Sequence, residues 1–256
     1  MSGKSDKQNL RKEYILSKLR EDGKVSIEKL SKELNVTSVT MRKDLNMMEE
    51  EGLLMRVSGG AALRPEGSPS YTSKKTTFLK EKIKIANAIA KTISDGETLF
   101  IGTGTTCLEI AKALRDRHSL SIVTTSLDVA SILKNVSDFR VVLLGGELNP
   151  EYGFTYGSDT LEQISHYRTD WSILSIDGIS TGGGVTNCHS EEAPIDRMMI
   201  ANSKRVIVAA DHSKVGNAGF YRVCDISDEL MLITDSDADR NELAAIASAG
   251  ARVVTV

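Results

Sequence analysis

The chain has 256 residues, 40% hydrophobic and 26% charged, with a net charge of −3, an ordinary composition for a globular protein large enough to bury a real core. No apolar run approaches the roughly 18 residues a membrane helix needs, so a membrane partner is excluded. Cys107, Cys188 and Cys224 are far apart and form no Cys-x-x-Cys pair, which argues against a disulfide framework or a zinc cluster. The start, Met1-Ser2-Gly3-Lys4-Ser5-Asp6-Lys7, has no apolar stretch behind it and does not read as a signal peptide, so the expected location is the cytoplasm.

Charge is uneven. Residues 1–62 carry 12 Lys/Arg against 10 Asp/Glu, and the remainder 20 against 25, a mildly basic head on an acidic body. In the head, Leu10, Tyr14, Ile15 and Leu19, then Val25, trace an apolar stripe at helical spacing with a stop at Asp22-Gly23. Ser26 is a good N-cap for a second helix through Leu34, and Asn35-Val36 makes a tight turn. Thr37 or Ser38 then caps a third helix through Glu49. Two short helices joined by a turn, the second carrying Arg42 and Lys43, form the pattern of a helix-turn-helix. The residues expected to face DNA are Thr37, Ser38, Thr40, Met41, Arg42 and Lys43, with Val39 and Leu45 in the core. A short strand and glycines, Leu53 to Ala61, read as a wing with Arg56 near the phosphates.

Residues 62–76 hold two of the four prolines and no periodic apolar pattern, which marks a linker between a DNA-binding domain at 1–62 and a body at 77–256. An amphipathic helix spans Phe78 to Ile93, and from there strands and helices alternate. Strands are expected at Thr98–Ile101, Leu120–Thr124, Arg140–Leu144, Trp171–Ile176, Arg205–Ala209, Leu230–Thr234 and Val253–Val256. Helices are expected at Thr105–Leu114, Leu127–Leu133, Ser158–Ser165, Ala193–Asn202 and Glu242–Ala249. Ile-, Val- and Leu-rich strands alternating with helices imply a Rossmann-like parallel α/β sheet covered on both faces.

Ligands of such sheets bind beyond the C-terminal ends of the strands. The post-strand residues are Gly102, Thr103, Gly104, Thr105 and Thr106; Thr124, Thr125 and Ser126; Gly145 and Gly146; Asp177; and Asp211 to Lys214. The strand–glycine–helix turn at Gly102–Thr106 aims backbone N–H groups and a helix dipole at one point, where an anion fits. Hydroxyls, carboxylates and Lys214 around it suit a small, hydroxylated phosphate. Each also has a plainer use: Thr124–Ser126 as a helix cap, Gly145-Gly146 as a turn, Asp177 as a loop cap. An alternative function is a sugar-phosphate isomerase or deaminase using acid–base groups among Asp177, Glu191, Glu192, Asp211 and His189.

The head, from Arg11-x-x-x-Ile15-Leu16 through Ser38-Val39-Thr40-Met41-Arg42-Lys43-Asp44-Leu45 to Arg56-Val57-Ser58-Gly59-Gly60-Ala61, resembles the DeoR family of bacterial transcriptional regulators. The family helix commonly reads Ser-x-x-Thr-Ile-Arg-Arg-Asp-Leu. Met41 replaces its Ile, and Lys43 its second Arg, so a phosphate contact suits Lys43 better than guanine readout. The resemblance continues through Thr103-Gly104-Thr105-Thr106, Thr124-Thr125-Ser126, Leu144-Gly145-Gly146, Asp177-Gly178-Ile179, Gly184-Val185-Thr186 with Glu191-Glu192-Ala193, and Asp211-His212-Ser213-Lys214. Gly102 stands where an Asp is common, and Thr125 where an Asn is common.

The resemblance implies a winged helix-turn-helix joined to a sensor domain similar in fold to ribose-phosphate isomerases and glucosamine-phosphate deaminases. It implies a repressor of a carbohydrate-metabolism operon, not an enzyme, with operator DNA and a phosphorylated sugar or polyol as partners. Gly102–Thr106, Thr125, Ser126, Gly146, Asp177, Glu191 and Lys214 are then its effector-binding residues. No cofactor or metal is expected. Helix-turn-helix proteins usually bind paired half-sites, so a homo-oligomer, dimer or tetramer, is expected.

Overall fold

The computed structural model describes the backbone of residues 2–50, 53–57, 59–63 and 71–256, and the side chains of 10–19, 21–49, 53, 54, 59–61 and 71–256. The chain forms two compact units, Met1–Thr77 and Phe78–Val256.

The first unit runs α1 (Ser2–Asp22), β1 (Lys24–Ser26), α2 (Ile27–Glu33), α3 (Ser38–Glu50), β2 (Leu54–Val57), β3 (Gly60–Leu63) and α4 (Tyr71–Thr76). Ser26 caps α2 by accepting from the Lys29 N–H, and Thr37 caps α3 by accepting from the Thr40 N–H. The strands form an antiparallel sheet in the order β1-β3-β2. Val25, the last residue of the expected helical stripe, pairs instead with Ala61 in that sheet. Ile15, Leu19, Leu30, Met41, Leu45, Met48 and Leu54 make the core. Asp44, nearly buried, takes a bidentate grip from Arg11, Nε to Oδ2 at 2.6 Å and Nη2 to Oδ1 at 3.1 Å, and so ties α3 to α1. Helix α4 occupies the latter part of the expected linker, where Tyr71 and Lys75 stack one turn apart. The earlier part, 64–70, lies outside the described residues.

The second unit begins with α5 (Leu79–Thr92), β4 (Thr98–Ile101), α6 (Thr105–Ala113), β5 (Ser121–Thr124), α7 (Leu127–Leu133), β6 (Arg140–Leu143), β7 (Glu147–Asn149), β8 (Phe154–Tyr156) and α8 (Ser158–Ser165). It continues with β9 (Thr169–Ser175), β10 (Gly178–Ser180), β11 (Gly184–Asn187), α9 (Glu192–Ala201), β12 (Ser203–Ala209), β13 (Tyr221–Cys224), β14 (Leu230–Thr234), α10 (Arg240–Ser248) and β15 (Arg252–Thr255). Seven strands form the expected parallel sheet, in the order β15-β14-β12-β9-β4-β5-β6. Central strands are buried almost throughout, and the edge strands β6 and β15 only partly, as a sheet covered on both faces requires. Two small additions lack a counterpart among the expected elements: a β7–β8 hairpin and an antiparallel sheet in the order β10-β11-β13.

From β4 the chain winds outward to β5 and β6, then returns to β9 on the other side of β4 and winds on to β12, β14 and β15. The switch point of the sheet is therefore between β4 and β9, and the crevice beyond their C-terminal ends is where such sheets bind ligands.

The opposite, N-terminal edge is tied by ion pairs. Glu97 accepts from the Trp171 indole at 3.1 Å and from Arg205 at 3.0 Å, and the Arg205 guanidinium lies 3.7 Å from the centre of the Trp171 ring. Asp170 accepts from Lys204 at 2.8 Å and from the Thr98 N–H and hydroxyl, which together hold its carboxyl down at about 2. Stability from a carboxyl so lowered is present above its ordinary value and is lost as pH falls through about 2. Asp170→Asn is expected to cost about 2 kcal/mol at neutral pH. In urea unfolding followed over a pH series, the gap between the two proteins should close as the solution is acidified.

Candidate functional site

In the first unit the candidate surface is α3. Met41, Leu45 and Met48 recur at helical spacing and are fully buried, so the opposite face, Ser38, Val39, Arg42, Lys43 and Asn46, is exposed. This corrects two expectations. Met41 does not face DNA; it is a core residue, because it shares the stripe of Leu45 and Met48. Val39, expected in the core, stands two residues out of that stripe and is 71% exposed. Thr37 is exposed but its hydroxyl caps the helix, and Thr40, half-buried, shares a hydrogen bond with it at 3.0 Å. Arg56 lies in β2 with its side chain outside the described residues.

In the second unit the switch point sets the geometry. Gly104, the N-cap of α6, has φ +95 and ψ 166, a conformation essentially restricted to glycine. A Cβ there would stand 3.1 Å from Ser175 Oγ at the end of β9. Thr103 donates its hydroxyl to Glu192 Oε1 at 2.8 Å, so the first residue of α9 covers the turn that starts α6. Thr103, Thr105 and Thr106 are buried under this cover. Gly102 faces Asp196: a Cβ there would lie 3.7 Å from Asp196 Oδ1 and 3.3 Å from Leu174 Cδ2. Asp196, buried, accepts from the Asn187 amide at 2.7 Å. Burial, with the charge of Glu192 adding to it, pushes the Asp196 carboxyl well above the ordinary range, which favours its protonated form. Asp177 Oδ2 accepts from the Cys188 N–H, closing β9 onto the end of β11.

The other expected residues divide. Lys214 stands half-buried on the loop after β12, on the strand beyond β9 from the turn. Its neighbour His212 places Nδ1 3.0 Å from Asp235 Oδ1, while the His212 N–H donates to Asp235 Oδ2 at 2.7 Å. Asp237 is close by, but both Asp235 oxygens already accept protein N–H groups, which makes this a hydrogen-bonded turn and not a metal cage. Phe78, in left-handed backbone at φ 52, packs its ring edge-on against His212 at 4.5 Å. Thr125, expected to bind effector, is fully buried with its hydroxyl unpartnered, and Ser126 caps α7 through the Val129 N–H. Gly146 is exposed yet wedged: a Cβ would collide with Thr160 Oγ1 and the Tyr156 carbonyl, which explains the glycine by packing. Glu191 bonds Ser190, and it is Glu192 that reaches the β4–α6 turn.

The candidate acid–base groups are engaged structurally. Asp211 accepts from Ser213, and His189 packs on Tyr152 at 4.6 Å. Burial pushes the Cys107 thiol up, and that of Cys224 up to about 11, so neither is a nucleophile at neutral pH.

Residues 11–66 match the DeoR-like helix-turn-helix domain, and residues 77–236 match the DeoR C terminal sensor domain. The chain belongs to the DeoR family. Among its DeoR-family relatives, the glycerol-3-phosphate regulon repressor of Escherichia coli K12 is 38% identical over 90% of this chain and 92% of its own length. The HTH-type transcriptional repressor GlcR of Bacillus subtilis is 34% identical over 86% of each chain. A solved ribose 5-phosphate isomerase from Methanocaldococcus jannaschii aligns with 54% of this chain and 55% of its own, at 17% identity and a TM-score of 0.41. A likeness that slight says nothing of activity. No helix among the described residues is long and apolar enough to cross a membrane.

The sequence motifs gave no role at this turn to Ser175 or Asp196, nor to Asn187 behind Asp196, and put Glu191 rather than Glu192 at the effector. The only signal for Asp196 was a carboxylate amid Ile195, Met198 and Met199 on an apolar helix. A carboxyl raised by folding stabilises fully below its ordinary value of 3.8, and that contribution is lost as pH rises toward its folded value. Asp196→Asn keeps an acceptor for Asn187 and has no proton to lose. The variant is expected to gain on the wild type in urea midpoints as pH rises above the ordinary carboxyl value of 3.8. A gap that does not change as pH rises would mean that folding leaves the Asp196 carboxyl unperturbed.

Proposed function

We propose that this chain is a repressor of a carbohydrate-metabolism operon, released from or retained on its operator by a phosphorylated sugar or polyol. Residues 1–62 are assigned to DNA binding, 63–76 to a linker and 77–256 to effector sensing. The carrying observation is the pairing, on one chain of the DeoR family, of an exposed Arg42–Lys43 face on α3 with a glycine-built helix start at the switch point of a parallel sheet. The relative named for the regulon of glycerol-3-phosphate supports a small phosphorylated polyol or sugar.

In this reading Ser38, Arg42 and Lys43 contact DNA, Lys43 through phosphate, with Thr37 and Thr40 supporting the helix start and Arg56 contributing from the wing. The effector's phosphate sits at the start of α6, held by N–H groups of Thr103–Thr106 and by Lys214. Its hydroxyls go to Asp177 and to Glu192, whose carboxylate must give up Thr103 or share it. A phosphate arriving there repels Glu192, and Glu192 begins α9, so ligand charge is converted into displacement of a helix. The ligand switches the protein only if the DNA-competent and released states bind it differently. Such a regulator works in the cytoplasm as a homo-oligomer, dimer or tetramer, on paired half-sites.

Two substitutions separate the halves. In a thermal-shift screen of phosphorylated sugars and polyols, a true effector at about a hundred times its Kd should stabilise the protein by about 2.7 kcal/mol. Lys214→Ala should lose most of that shift while binding DNA from its own upstream region as before. Loss of both together would contradict a separate sensor site. Arg42→Ala should abolish specific retardation of the same DNA with the ligand-induced shift intact, and the wild-type complex should weaken steeply with added salt. Retardation unchanged by the substitution would remove Arg42 from the interface.

A further inference from the structure

The face of α3 that carries Arg42 and Lys43 also carries an apolar residue that folding leaves uncovered. Val39 is 71% exposed, in the first turn of the helix, one residue after the exposed Ser38. Side chains three, four and seven positions apart share a helix face, so Val39 stands with Arg42, Lys43 and Asn46, opposite the buried Met41, Leu45 and Met48. A valine in the midst of cationic and amide groups adds nothing to the core of this unit and exposes two methyl groups to water. Its branched side chain is stiff at χ1, so the methyls are presented in one arrangement, with little entropy left to lose on contact.

The neighbours decide the occupant. Arg42 and Lys43 suit a polyanion, and the N-terminal residues of a recognition helix are the ones that meet base edges. In the major groove the apolar group offered by a base pair is the C5-methyl of thymine. We propose that Val39 reads a thymine methyl in each half-site of the operator, which makes it a specificity-determining residue beside the charge-bearing Arg42 and Lys43. This rests on the DNA-binding assignment of the first unit, and it adds a base preference that phosphate contacts cannot supply.

Replacing thymine with deoxyuridine removes that methyl alone, so the test needs no operator known in advance. The full-length protein is used to enrich duplexes from a randomised pool, and the best binder is resynthesised with deoxyuridine at one thymine at a time. One thymine per half-site is expected to lose about fourfold in affinity on that exchange, the worth of one buried methyl. Val39→Ala should bind the thymine duplex about as weakly as the wild type binds the deoxyuridine duplex, and should no longer distinguish the two. Its dependence of affinity on salt should be unchanged, because no phosphate contact is removed. A Val39→Ala protein that keeps the full thymine preference overturns the assignment, as does a wild type indifferent to every single exchange. A Val39→Ala protein that changes in sedimentation but not in base preference places the side chain between copies of the chain, and overturns it equally. Failure to enrich any sequence at all refutes DNA binding itself, a separate result. Val39 is exposed, so the variant should match the wild-type thermal unfolding profile, which checks that the fold is intact.

Discussion

The second unit depends on how closely two neighbouring strands of its sheet approach where they end. The turn after β4 passes the end of β9 so closely that a Cβ at Gly104 would crowd the Ser175 side chain, in a backbone conformation that other residues rarely adopt. That approach fixes the direction of α6, and with it the direction of the backbone N–H groups at its start. Because β4 and β9 flank the switch point, the turn lies beyond the strand ends where sheets of this kind bind ligands. Glu192 and Asp196 then reach this glycine turn from α9, the first through the Thr103 hydroxyl and the second beside Gly102.

The two edges of the sheet have divided their work. At the N-terminal edge, Glu97, Asp170, Trp171, Lys204 and Arg205 satisfy one another in short hydrogen bonds and a stacked guanidinium. At the C-terminal edge, Thr103 bonds Glu192 and Asp177 bonds the Cys188 N–H, while Thr125 is buried with its hydroxyl unsatisfied. Burying a hydroxyl without a partner costs stability, so a site of this kind depends on a well-tied scaffold elsewhere. The first unit shows the same economy on a smaller scale. Asp44 sits within the basic segment of α3, yet its role is to hold Arg11 and thereby fix α3 against α1.

What was legible in the sequence was whatever repeats. The alternation of apolar runs and amphipathic helices announced the parallel sheet, since strands buried on both faces and helices buried on one have distinct periods. The β7–β8 hairpin and the β10-β11-β13 sheet escaped notice because their short strands are broken up by glycine, polar and charged residues instead of being built from Ile, Val and Leu. Val39 and Met41 exchanged places for a related reason. Hydrophobicity alone ranks Val above Met, whereas the spacing from Met41 to Leu45 and Met48 decides which side is buried. At the site, Gly104 and Thr103 were marked by their motif, but a hydroxyl that caps a helix and one that binds a ligand look alike in sequence. Ser126 is the case in point. Glu191 and Glu192 are adjacent and chemically identical, and the α9 backbone, not composition, selects the second.

Phe78 does more than precede α5. The chain enters its second compact unit at Phe78. The residue holds a strained left-handed backbone, and its ring leans on His212. His212 is anchored to the buried Asp235 and lies two positions before Lys214. A shift of the loop that carries Lys214 therefore disturbs the packing of the residue at which the chain enters the second unit.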